Sequence, residues 1–89
     1  MTRKRESCAE ILCTAEKLIT GDRKAAYGDA EESFSRIARL WSAYLAIPVS
    51  ARDVAMMMVL LKVSRDKSSR KSDNLVDIAG YAALAGELD

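Results

Sequence analysis

Between Lys62 and Lys71 five cations, Lys62, Arg65, Lys67, Arg70 and Lys71, stand against a single acid, Asp66, immediately ahead of Asp73-Asn74-Leu75-Val76-Asp77. Cations next to carboxylates and an amide are the residue types that hold phosphate or build a buried ionic network, and spacing bears on which. With Val54 as the zero of helical angle, Arg65 projects at ~20°, in line with Val54, Met58 and Leu61, and Lys62 borders that face at ~80°. A charge that continues an apolar stripe snorkels past the helix end or meets an anion. Two readings stay open: Lys62 and Arg65 pair with carboxylates of the following helix, or together they hold a phosphate.

Asp73, Asp77, Tyr81, Leu84 and Leu88 recur at i, i+4, i+8, i+11 and i+15, a face opposite Leu75 and Ile78. That mixture places Asp77 at a contact, where a carboxylate needs Lys62, Arg65, a hydroxyl or a divalent cation. The small residues Ala79, Gly80, Ala82 and Ala83 let another helix or a ligand come close. A third polar group lies earlier, in Arg23-Lys24-Ala25-Ala26-Tyr27-Gly28-Asp29. It reads as a loop in which Gly28 turns and Asp29 caps the next helix. Alternatively, Arg23 and Tyr27 offer a guanidinium and a ring beside a helix N-terminus, suited to a phosphate and a base. On that next helix Glu31 lies ~60° from Phe34 and borders the core, whereas Glu32 lies ~160° away. Glu31 is therefore the acid placed to join Asp77 around a metal, and two carboxylates suit magnesium held together with substrate phosphates.

Helices must position these groups. Ser7-Cys8-Ala9-Glu10 has the capping-box pattern and opens a helix over about 8–20, with Ile11, Leu12, Ala15, Leu18 and Ile19 on one stripe and Gly21 as its stop. Asp29 opens a second, about 30–46, whose stripe is Phe34, Ile37, Ala38, Trp41, Tyr44 and Leu45 and which Pro48 ends. Ser50-Ala51-Arg52-Asp53 opens a third, about 51–66. Its run Val54–Leu61 is apolar all round, so cover on several sides is expected, including a second copy of the chain. A fourth spans about 73–88, with Leu75, Ile78, Ala79 and Ala82 toward the core. No segment has strand periodicity. The fold expected is all-α: a compact four-helix domain over 1–89 that oligomerises through its third helix.

Bulk properties narrow the function. Eighty-nine residues, 49% hydrophobic and 30% charged, make one globular domain of modest core. A net charge of +1 gives no global field for nucleic acid, and the basic stretch Lys67–Lys71 is short and lacks an aromatic for base stacking, so DNA binding is not expected. There is no histidine, and Cys8 and Cys13, five apart on one helix, point ~140° from each other, so they neither pair nor share a zinc. Buried free thiols in a reducing compartment are expected. No apolar run approaches the ~20 residues of a membrane span, and the protein is expected in the cytoplasm.

Arg23-x-x-x-Tyr27-Gly28-Asp29, Phe34, Trp41, Asp53-Val54-Ala55, Lys62-x-x-Arg65 and Asp73 to Leu84 together resemble a small uncharacterised family of tailed bacteriophages and prophages, which implies the cytoplasm of an infected or lysogenic host. More distantly, the YGD, KxxR and DNxxDxxGY stretches are similar to phage nucleotide-modification-associated domains and to the all-α NTP pyrophosphohydrolases of the MazG and dimeric dUTPase group. Those are helical oligomers that bind magnesium and a nucleoside triphosphate through an ExxE and an ExxD pair. The likeness implies that Glu31 stands in the first pair and Asn74 and Asp77 in the second. Phe34 and Asn74 replace two of the four carboxylates, so binding is expected rather than hydrolysis, with an NTP pyrophosphohydrolase-like enzyme as an alternative. The expected ligand is a nucleotide or similar phosphate compound. Arg23, Lys62 and Arg65 would meet its phosphate, Tyr27 and Tyr81 its base or sugar, and Asp29, Asp73, Asn74 and Asp77 would supply polar contacts or hold magnesium. The other class is a structural or interaction protein in which the same cluster is a buried network fixing helix register.

Overall fold

A computed structural model describes residues 5–22 and 29–88. Helix α1 (Cys8–Lys17) begins as its sequence dictates: the Ser7 hydroxyl accepts from the Glu10 amide at 3.1 Å and the Glu10 carboxylate accepts from the Ser7 amide at 3.0 Å. The Ser7 amide, and after it the Ser7 side chain, hold the Glu10 carboxyl below its ordinary pKa. Gly21 does not stop the helix. The backbone widens into a π-turn over Leu18–Asp22, which runs through the glycine.

Helix α2 (Ala30–Leu45) starts on Asp29, whose carboxylate accepts from the Glu31 amide at 3.0 Å. It ends on Ala46, held at φ 59° in the left-handed region. The Ser42 hydroxyl accepts from the Val49 amide at 2.8 Å and donates to the Val49 carbonyl at 3.2 Å, closing the short loop to the next helix. Helix α3 (Ala51–Ser68) opens with a second capping box, Ser50 with Asp53. After the loop Ser69 to Lys71 comes α4 (Ser72–Ala85), whose N-cap, Lys71, brings no side-chain acceptor to the first turn.

In space the helices lie in the order α1, α4, α3, α2: α1 packs mainly on α4, α4 on α3, and α3 on α2. All-α, four-helix architecture with no strand among the described residues is the arrangement the sequence implies. The core is small. Ala55, Ala85 and Leu88 form its centre with Phe34 and Ala51 against them, and Val54 is the largest side chain wholly out of solvent among the described residues.

Three expectations are corrected by this packing, and the cover expected on several sides of α3 comes, within one chain, from one side alone. Helix α4 turns its other face inward: Val76, Gly80, Tyr81 and Ala85, with Leu88 just beyond the helix, are buried, while Leu75 and Ala82 are exposed and Ile78 and Ala79 only half-buried. The i, i+4, i+8 face carrying Asp77 and Tyr81 is thus the packed one, because α4 sits between two helices and meets each along it. On α2, Tyr44 is 89% exposed and Leu45 47%, since α3 covers only the Phe34–Trp41 part of the stripe. On α3, Val54 and Ala55 are buried but Met56, Met57, Leu60, Leu61 and Val63 are open to solvent. Cys8 and Cys13 are free and exposed rather than buried, because α1 turns Ala15 inward and leaves both thiols on its outer sides.

Candidate functional site

The joint between α3 and α4 is where the polar residues gather, and most of them are committed to one another. Lys62, three turns into α3, reaches Asp77, in the second turn of α4, with 3.0 Å between Nζ and Oδ2. The two side chains keep 16% and 20% of their exposure, so both have given up most of their hydration and each depends on the other. Asp77 also borders a small void of about 10 Å³ shared with Ala15, Leu18, Ile19, Val76, Gly80 and Tyr81. The contact expected around Asp77 is therefore present, and its partner is Lys62.

Asn74 is the buried polar residue of the joint. Its amide donates to the Ser69 carbonyl at 2.9 Å and to Oδ1 of Asp66 at 3.3 Å, and the same Asp66 oxygen accepts from the Lys71 amide at 3.3 Å. Asn74 and Asp66 together staple the turn that brings α4 back along α3. Tyr81 is buried with its ring 6.1 Å from that of Phe34, so its face is spent on α2.

Arg65 is exposed, and no carboxylate among the described residues forms an ion pair with it. Asp29 caps α2. Glu31 and Glu32 are both exposed, so the difference in their angles does not translate into a difference in burial. Among the described residues no three histidine, cysteine, aspartate or glutamate side chains converge as a metal site would require. Arg23 and Tyr27 lie outside the described residues.

Next to the stapled turn is a cleft of about 510 Å³, lined by Arg5, Glu6, Ile11, Asp66, Arg70, Lys71, Ser72, Asp73 and Leu75. Of the site residues expected from sequence that are among the described residues, only Asp73 lines it. The others were missed for a reason. Arg70 and Lys71 belong to the basic run already noted, but Arg5 and Glu6 arrive from the other end of the chain, and the Ser72 hydroxyl reaches the Glu6 carboxylate at 3.4 Å. The first turn of α4 opens beside the cleft without a side-chain cap, leaving the Ser72 and Asp73 amides as donors of the kind that attract an anion. Among the described residues the charges around the cleft are mixed, three cations with three acids; the Asp66 carboxylate also accepts from the turn and that of Glu6 from Ser72.

A family model described as "Domain of unknown function (DUF6378)" matches residues 10–89. The chain is 49% identical over 76 residues to the Gene 55 protein of Mycobacterium phage L5, covering 83% of this chain and 49% of that one. It is 44% identical over 73 residues to the Gene 55 protein of Mycobacterium phage D29, covering 81% and 48%. The chain thus spans about half the length of the curated relatives it matches. No solved structure matches it.

Proposed function

The chain belongs to the DUF6378 family, and from that premise we propose that it binds a phosphate-bearing small molecule of the nucleotide class in the cleft beside the α3–α4 turn. The observation that carries the reading is the coincidence of Arg5, Arg70 and Lys71 with the uncapped N-terminus of α4 around one cleft of about 510 Å³. That volume lies within the range of about 300–1,000 Å³ usual for small-ligand pockets. Helix amides and guanidinium forks are complementary to phosphate oxygens. The likeness of the DNxxDxxGY stretch, whose Asp73 lines the cleft, to MazG-type and nucleotide-modification-associated domains favours a nucleotide over bare phosphate. In phage relatives such a protein would act in the cytoplasm of an infected or lysogenic host, serving phage nucleotide metabolism or sequestering a signalling nucleotide. Hydrolysis is not part of the proposal, and magnesium at Glu31 and Asp77 is the less favoured arrangement because Lys62 already neutralises Asp77.

Thermal unfolding against mono-, di-, tri- and cyclic nucleotides and inorganic pyrophosphate, with and without magnesium, tests the idea. A ligand present at 100 times its Kd adds about 2.7 kcal/mol to the folded state, a shift of ten degrees or more in a domain of this size. Arg70→Ala combined with Lys71→Ala should remove the shift, measured against that variant's own unliganded Tm. No shift across the whole panel sinks the proposal.

A second reading has its own support. The Lys62–Asp77 pair and the Asp66–Asn74–Ser69 staple are what a network fixing helix register would look like, in a domain whose role is to present surfaces to partners.

A further inference from the structure

Helix α3 buries Val54 and Ala55 and half-buries Ala51, Met58, Val59, Lys62 and Asp66. Their mean direction is diametrically opposite Leu60. On that outer side Met57, Leu60 and Val63 form the middle of a stripe that begins at Asp53 and ends at Lys67, with Met56, Leu61 and Ser64 flanking it. The five apolar members are 47% (Met56), 41% (Met57), 66% (Leu60), 47% (Leu61) and 48% (Val63) exposed. Among the described residues nothing covers them, because the helices are laid side by side in the order α1, α4, α3, α2. The molecule accordingly measures 50 × 28 × 20 Å with a Cα radius of gyration of 14.3 Å, where a domain of this length packed around one centre has about 12 Å.

We propose that this face is the seam of a two-fold symmetric dimer in which α3 packs antiparallel on α3 of a second copy, with Leu60 at the two-fold axis. The charge pattern selects both the occupant and the register. Asp53 lies seven residues before Leu60 and Lys67 seven after it. About a two-fold axis at Leu60, Asp53 of each copy therefore comes opposite Lys67 of the other, twice per dimer. The same operation sets Met57 against Val63, and Met56 against the small Ser64. A parallel pairing would instead bring Asp53 against Asp53 and Lys67 against Lys67. Self-complementarity of this kind is the requirement of an isologous interface. Arg65 and Asp66 point away from the stripe, at ~140° and ~120° from Leu60, and Arg52, at ~80°, borders it opposite Ser68 of the other copy. Asp53 keeps one carboxylate oxygen for the partner, since Oδ2 is the one taken by the Ser50 amide.

A seam along one 18-residue helix falls at the small end of specific interfaces, which bury about 1,200–2,000 Å² in total, so a dimer that dissociates in the micromolar range is expected. Sedimentation velocity from about 1 to 300 µM should show the monomer giving way to dimer. Leu60→Asp should raise the dissociation constant tenfold or more with an unchanged far-UV circular dichroism spectrum. Lys67→Glu, a surface change that sets an acid against Asp53, should raise it about three-fold or more. Register is read by cross-linking in a Cys8→Ser, Cys13→Ser background. Leu60→Cys should form a disulfide with its own copy, whereas Ser64→Cys should not, because two such residues are separated by ~12 Å along the antiparallel seam. A monomer at every concentration, a dimer indifferent to Leu60→Asp, or equal self-cross-linking at 60 and 64 would each overturn the proposal. None of these measurements depends on a nucleotide, so the two proposals stand or fall separately.

Discussion

Lys62→Met and Asp77→Asn, made singly and together, measure what the ion pair between α3 and α4 contributes. At 3.0 Å and an effective dielectric of about 20 the direct attraction is about 5 kcal/mol. Against it stands the hydration both groups have given up, since 16% and 20% of their exposure remain; that loss costs several kcal/mol per ion in full burial. The pair therefore sits between the exposed case, where coupling is about 0.2–1 kcal/mol, and the buried one, where deleting a single partner costs about 3–5 kcal/mol. We expect each single variant to lose about 2 kcal/mol, because it strands a half-buried charge or dipole, and the coupling to be about 1–2 kcal/mol. For a domain of this length that is a fall in Tm of roughly 8–16 °C per single variant, with the double variant losing about 2–3 kcal/mol rather than the roughly 4 kcal/mol of two independent changes. Urea unfolding of the four proteins gives the cycle. Coupling under about 0.3 kcal/mol would place the pair among surface contacts and refute its role in fixing α4 on α3. A variant that keeps its Tm but loses stabilisation by nucleotide would refute it differently, by making Asp77 a ligand contact.

Asn74→Leu removes the bonds to the Ser69 carbonyl and the half-buried Asp66 carboxylate, and should cost about 1–3 kcal/mol by urea unfolding; a neutral result would show that the turn holds without its staple. Ala46 occupies a left-handed conformation and Gly80 an ordinary helical one in which a Cβ meets only Ile19, at 3.4 Å. Ala46→Gly and Gly80→Ala are thus opposite exchanges that should each stabilise, by up to about 1 kcal/mol, readable as a rise in Tm. The Glu10 carboxyl, held low by Ser7, keeps its capping bond at and above its ordinary value of 4.5. Because the folded value is the lower one, the contribution is lost as pH falls further through it. Amide NMR shifts of Ser7 to Glu10 should move in that range, and Glu10→Gln should abolish the movement.

The helices were legible because their starts are written in short-range chemistry: Ser7 with Glu10, Asp29, and Ser50 with Asp53 each act over three residues or fewer. Asp77 was legible too, since a carboxylate on a mixed face needs a partner and Lys62 was among those named. The inward face of α4 was not. Leu75 is the more apolar signal, yet Asn74, Gly80 and Tyr81 are the buried residues, because the choice was made by two neighbouring helices rather than by the segment itself. The cleft escaped for the same reason. Arg5 and Glu6 are more than sixty residues from Ser72, and no periodicity connects a chain's beginning to its last helix.

The spatial order of the helices has a consequence for biosynthesis. Helix α4 is made after the other three, yet it lies between α1 and α3 and supplies the main surface on which α1 packs. While the nascent chain extends, α1 and its π-turn have no docking site, and only α2 and α3 can assemble. Ribosomes add about 5–20 residues per second, so the N-terminal segment waits seconds in that state with its apolar stripe exposed. Chains released early, before α4, would lose α1 as well as α4, and with it the cleft that the two ends of the sequence build together.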